Sequence, residues 1–201
     1  MPEWNDSPLD SAWTNPAPAL VRQIEIAQGL LTERFALCQT MPLEEFVAVA
    51  EGLRGSRYRP IRFRPYATAD GVLVAAVWTR DGLDWQMAHG VPADQTHQRD
   101  AEMRKQGYWP VDLACYLEAA RTAERYAALW VVQRPGVVNT QICVGLNRDC
   151  RATRQQLMND GYVPETHHMM LGAHGELQSS SIWSKRQISP GWGDHSNSLQ
   201  S

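Results

Sequence analysis

Lysine is almost missing from this chain: Lys105 and Lys185 are the only two, beside 17 arginines. Nucleotide phosphate chemistry depends on a lysine in a set place, and neither of these follows a glycine as the P-loop requires. No Gly-x-Gly-x-x-Gly follows a strand-like run, and Gly191 to Gly193, the single Gly-x-Gly, lies near the end of the chain. The kinase set of strand lysine, catalytic-loop aspartate and Asp-Phe-Gly is missing as well. So are the Gly-x-Ser-x-Gly elbow and Ser-x-x-Lys, since Ser181 and Lys185 stand one position too far apart. No catalytic residue and no cofactor is expected on these grounds.

Cysteine is sparse too. Cys38, Cys115, Cys143 and Cys150 are too few for a disulfide scaffold, and no CxxC pair offers zinc-ligand spacing. Cys38, Cys115 and Cys143 sit among apolar residues, as small buried hydrophobes do. Long apolar runs are lacking: residues 72–78 and 126–132 are strand-sized, well short of the roughly 18 residues of a membrane span. The start, Met1-Pro2-Glu3-Trp4-Asn5-Asp6, has neither the basic residues nor the apolar run of a signal peptide. A net charge of −3 gives no global attraction to nucleic acid or membrane. The expectation is a cytoplasmic protein with reduced thiols, no metal, no membrane partner and no specific nucleic-acid partner.

What the chain has is a globular balance, 43% hydrophobic and 20% charged, and an internal repeat. Tyr58-Arg59-Pro60, Tyr108-Trp109-Pro110 and Tyr162-Val163-Pro164 share a Tyr-x-Pro closely preceded by glycine. A tryptophan closes a short run eighteen to twenty residues after each proline: Trp78, Trp130 and Trp183. The prolines are 50 and 54 residues apart and the tryptophans 52 and 53. Two markers keeping one period in one order define a repeat, and tryptophans recurring inside apolar runs are core residues.

A helix is expected before each Tyr-x-Pro, over 42–54, 92–106 and 148–160. Pro42 and Pro92 suit a first turn, Glu44, Glu45 and Asp94 favour the positive end of the helix dipole, and glycine follows as a stop. The residue before proline is pushed to extended geometry, so Tyr-x-Pro starts a strand. In Ile61-Arg62-Phe63-Arg64 the alternation turns Ile61 and Phe63 inward. Val72 to Trp78 reads as a central strand covered on both faces, and 83–89 as a third strand, with turns at Asp70-Gly71 and Asp81-Gly82. Unit two repeats this through 111–116, 126–132 and 141–146, turning at Arg134-Pro135-Gly136, while unit three has only 165–170 and 177–183.

The expected fold class is therefore α+β, with tandem repeats of about fifty residues, each a helix followed by three antiparallel strands. A lead over 1–16 precedes one repeat domain, 17–187, and a flexible tail covers 188–201. The domain divides into a partial unit 17–40 (a helix over 17–33, then a strand at 34–38), units 41–90 and 91–145, and a partial unit 146–187.

The candidate binding residues are Arg59, Arg62, Arg64, Trp85 and His89. Arg54, Arg57, Arg59, Arg62 and Arg64 fall in eleven residues without an acid, and Arg62 and Arg64 share a strand face. Such a face suits an anionic protein or ligand through bidentate guanidinium pairing. The alternative is a solvated face, or arginines paired with acids of the next unit. Trp85 and Trp109 lie outside the repeated tryptophan position and are open to the surface. His89, at a strand end before Gly90, is a structural histidine or a ligand. His167 and His168 point to opposite faces of a strand, which separates them as ligands for one ion.

Tyr58-Arg59-Pro60 with Ala75-Ala76-Val77-Trp78 and His89-Gly90, then Gly107-Tyr108-Trp109-Pro110 with Tyr126-Ala127-Ala128-Leu129-Trp130, resemble a known repeat family. It is the bacterial tandem repeat domain also seen in the N-terminal region of fungal polyglycine hydrolases. The likeness spans roughly 20–187, departing where Trp109 and Val163 replace the arginine after tyrosine and where the His-Gly pair is lost after unit one. The resemblance implies an accessory element beside a hydrolase or protein-kinase catalytic domain in a larger chain. The functional expectation is a non-catalytic module for binding or scaffolding; the alternative is a hydrolase of unknown class with a site between units.

Overall fold

The computed structural model describes residues 12–132 and 136–186. The 188–201 tail, the start of the 1–16 lead, and Arg134 and Pro135 of the expected turn lie outside the described residues. The protein is α+β and built of antiparallel sheets. Helix α1 (Pro18–Ile26) and the two-residue strand β1 (Leu30–Leu31) lead into β2 (Phe35–Pro42), α2 (Leu43–Gly55), β3 (Tyr58–Ala67) and β4 (Val72–Arg80). Next come β5 (Trp85–Val91), α3 (Ala93–Lys105), β6 (Tyr108–Leu117) and β7 (Glu124–Val132). Last are β8 (Val137–Leu146), α4 (Asn147–Asn159), β9 (Val163–Leu171) and β10 (Leu177–Arg186).

The three later helices stand where sequence places them, with Pro42 and Pro92 as N-cap residues. Their inward stripe occupies matching positions: Phe46, Ala50 and Leu53 in α2, Thr96, Asp100 and Met103 in α3, Cys150 and Leu157 in α4. The second residue after each of these helices turns the chain through positive φ. Gly107 and Gly161 do so at 86° and 81°, while in the first unit Arg57 does so at 69°. Gly55, expected as the stop, is the last residue of α2.

Strand grouping differs from the expectation. The sheets are β1-β2-β4-β3, β5-β7-β6 and β8-β10-β9, so the strands that follow β4 and β7 each join the next sheet. The structural unit is strand–helix–strand–strand, with the Trp-bearing strand at the centre and the outer pair antiparallel to it. The two outer strands are thus parallel to each other, and parallel strands need a crossover, which the helix supplies. Asp81-Gly82 is accordingly a link between sheets and not a hairpin turn. With β8 counted, the third unit is complete; β2 likewise opens the first unit and does not close an earlier one.

Each proline lies opposite its tryptophan: Pro60 with Trp78, Pro110 with Trp130 and Pro164 with Trp183. The ladder then skips one residue, Ile61, Val111 or Glu165. A bulge at this place fits a residue that has no N–H to give to the ladder. The bulge leaves Ile61 only partly buried, against its expected inward orientation, while Phe63 is buried.

The sheets stack. Val74, Ala76 and Trp78 of β4 face α2 and join one core with Ala127, Leu129 and Val131 from the near face of β7. Tyr126, Ala128 and Trp130, from the other face of β7, join Met103 of α3 and Ile142 and Ile182 of the third sheet. Strand β7 is therefore covered on both faces. Strand β4 is not, because Leu73, Ala75 and Val77 remain only partly buried. The repeated tryptophans are 0%, 1% and 5% exposed, as core positions should be. The indole Nε1 of Trp130 donates to Asp100 at 2.9 Å, and that of Trp183 to Ser181 at 3.0 Å.

Candidate functional site

The arginine run is largely occupied in holding the structure. The Arg59 guanidinium donates to both carboxylate oxygens of Asp81, at 3.0 and 3.1 Å from Nε. Arg64 pairs with Asp112 of the following unit, donating from Nη2 at 2.7 Å. Asp112 is 1% exposed and also accepts the backbone N–H of Phe63 at 2.9 Å. Arg62 stands 3.9 Å from the same carboxylate with about half its side chain in solvent. Arg54 lies 3.7 Å over the Trp85 ring and donates to Asp84 at 2.8 Å and to the Trp85 carbonyl at 2.9 Å. Trp85 is thus a buried residue at 1% exposure, a correction to its expected surface position. Asp84 also accepts the Tyr108 hydroxyl, which with the Arg54 charge holds its carboxyl below the usual range.

Side chains fasten the second junction in the same way. Cys115 donates its N–H toward His168 Nδ1 at 3.4 Å, Ser180 donates to the Leu113 carbonyl at 3.1 Å, and Glu124 accepts the Ala173 N–H at 2.8 Å. Burial, then the Arg64 charge, lowers the His168 pKa, so the ring is neutral near pH 7. Burial pushes Cys38 and Cys115 up to about 11 and Cys143 to about 12, which keeps these thiols protonated and poorly nucleophilic.

His89 belongs to a cleft. A bulge in β5 inserts His89 and Gly90 opposite Ala127, with Gly90 at φ 70°. This turns the His89 ring outward, edge-on to Phe63 at 6.3 Å between centroids. The ring forms part of a cleft of about 500 Å³ between α2, β5 and α3. Val47, Met87 and Val91 supply its apolar surface, and Gln98, Arg99 and Glu102 its polar side. Desolvation holds the His89 pKa below the ordinary histidine value. The lining has hydrogen-bond donors and acceptors but no hydroxyl or thiol. Among the described residues, no three His, Cys, Asp or Glu converge on a metal-sized site.

Of the five sequence candidates, Arg59, Arg62 and Arg64 cluster on and beside β3, with two of the three held in close ion pairs. Trp85 is interior, and His89 alone lines the cleft. Sequence reasoning missed Gln98, Arg99 and Glu102, which share one face of α3 by their i, i+3 and i, i+4 spacing.

Strand–helix–strand–strand units joined face to face define a stacked repeat protein. The family model described as polyglycine hydrolase-like, structural repeat matches residues 39–81 and 82–133, as two adjacent repeats. The second match runs from before β5 to just past β7, in phase with the sheet grouping. No curated protein matches the chain.

Proposed function

We propose that this chain is a non-catalytic repeat module that binds or scaffolds in the cytoplasm, accessory to a hydrolase or protein-kinase catalytic domain in a larger chain. One observation carries the reading: groups able to do chemistry are used to fasten unit to unit, and the cleft between units offers polar contacts without a hydroxyl or thiol in its lining. Its partner is an anionic protein segment or ligand. Arg99, whose own link to Glu102 is a long 3.4 Å surface pair, meets the anion, and Arg62 adds charge from β3.

The test is a titration with a polyglutamate peptide alongside a hydrolase, phosphatase and nucleotide-turnover screen. Binding should weaken as salt rises and weaken further in Arg99→Ala or Arg62→Ala, with the fold intact. Among the described residues no helix is long and apolar enough to cross a membrane. The second reading, a hydrolase with its site between units, draws on the neutral ring of His89 in that cleft. Turnover that survives repurification and is lost in His89→Ala would replace the first reading with the second.

A further inference from the structure

Matching register positions compare the inner faces of the stack with its two ends. On the leading side of the second unit, Trp85, Ala127, Leu129 and Val131 are at most 1% exposed, because the first unit covers them. Their counterparts on the first unit, Phe35, Ala75, Val77 and Thr79, are all left partly in solvent. Tyr116 and Tyr66 hold one position in two units, each opposite the residue five before the repeated tryptophan. Tyr116 is 4% exposed and Tyr66 38%.

The trailing side shows the same contrast. Phe63, Leu113 and His167 are equivalent, each opposite the residue two before the tryptophan, and Cys115 is equivalent to Met169. Phe63, Leu113 and Cys115 are each 1% exposed beneath the next unit. On the last unit His167 is exposed, Met169 is 50% exposed and Leu171 67%. Met158 of α4, at the helix position of Arg54, is 49% exposed, whereas Arg54 clamps the following unit through Trp85.

Among the described residues, the first and last units therefore display the two open halves of a junction that the chain makes twice with itself. We propose that the chain self-associates head to tail, the trailing face of one copy (His167, Met169, Leu171, Met158) docking on the leading face of a second copy (Phe35, Tyr66, Ala75, Val77). The occupant is a second copy because the two faces are the complementary sides of one repeated contact, continuous with the internal junctions. A copy carrying both faces makes a heterologous contact, which extends into open stacks unless the rotation closes a ring.

Sedimentation of the full chain over a concentration series tests this. The average mass should rise with concentration to at least twice the monomer. Leu171→Glu and Tyr66→Glu alter exposed positions, one on each face, so each variant should keep the native circular dichroism and stay monomeric. Mixing the two variants should restore dimers and nothing larger, since only one intact trailing face and one intact leading face remain per pair. A monomer at all concentrations, assembly untouched by both variants, or a Leu171→Glu variant that still assembles alone would each overturn the proposal. Concentration-independent protection of Met169 and Leu171 amides would also overturn it, by showing that the chain covers its own face.

Discussion

Gly90 donates its backbone N–H to the hydroxyl oxygen of Tyr116 at 2.9 Å, tying one outer strand of the second sheet to the other across its centre. In the first unit the Tyr66 hydroxyl reaches the same bulge and donates to the Gln39 carbonyl at 2.8 Å. The third unit has Met170 at this position, and its first strand pairs residue for residue from Thr140 to Leu146 without the bulge. Tyrosine and bulge thus occur together and are lost together.

Tyr116→Phe should therefore cost about 1 kcal/mol, because the part-buried Gly90 N–H loses its acceptor. Tyr66→Phe, at a half-exposed position where water can replace the lost partner, should cost less. Urea unfolding midpoints of the two variants compare them directly.

Asp112→Ala should destabilise by about 2–3 kcal/mol, since the Phe63 N–H and the Arg64 guanidinium both lose their partner. Arg62→Ala should change stability by no more than about 0.5 kcal/mol, as its contact is long and solvent-screened. Equal losses in chemical denaturation would contradict this division of the run.

Trp130→Ala should cost roughly 3–5 kcal/mol by leaving a large void between the second and third sheets. Asp100 of α3 loses the indole donor that ties the helix to β7 in that variant. Hydrogen exchange should accelerate in β8 and β10 as well as in β7, because the third sheet packs on the same cluster.

Replacing Arg57 by glycine should leave stability unchanged or raise it by up to about 1 kcal/mol. Arg57 is exposed and held at φ 69°, a conformation that costs an L-residue about 1 kcal/mol or more and glycine little. A lowered thermal midpoint in Arg57→Gly would speak against this account.

Acidification should loosen the second junction. The folded pKa values of His168, His89 and His167 are all lowered, so the unfolded chain takes up protons first as pH falls below about 6.5. Stability present above that value is then lost towards lower pH. His168 is packed against Cys115, with Arg64 disfavouring and Asp112 favouring its charge. Thermal midpoints between pH 7.5 and 5.5 should fall in the parent protein and fall less in His168→Gln.

The repeated tryptophans, the three later helices and the strands opened by Tyr-x-Pro were legible because each depends on local chemistry: a ring-locked φ, a cap, an apolar stripe. The phase of the repeat was not. Helix–strand–strand–strand and strand–helix–strand–strand give the same periodic sequence, and only the pairing of Trp85 with Val131, across 46 residues, separates them. The role of Arg64 was hidden in the same way, since its partner is 48 residues away and an arginine run by itself resembles a surface. The cleft drew no signal from α3 because its polar residues look like any solvated helix face.

The backbone ladders stop at the unit borders: each sheet is completed by one contiguous stretch of chain, and among the described residues side chains bind sheet to sheet. Inserting or deleting one whole period at a link such as Asp81-Gly82 would leave every ladder intact. The architecture is thus a ruler graduated in steps of about fifty residues, whose length a gene can change by copy number without redesigning any strand pair.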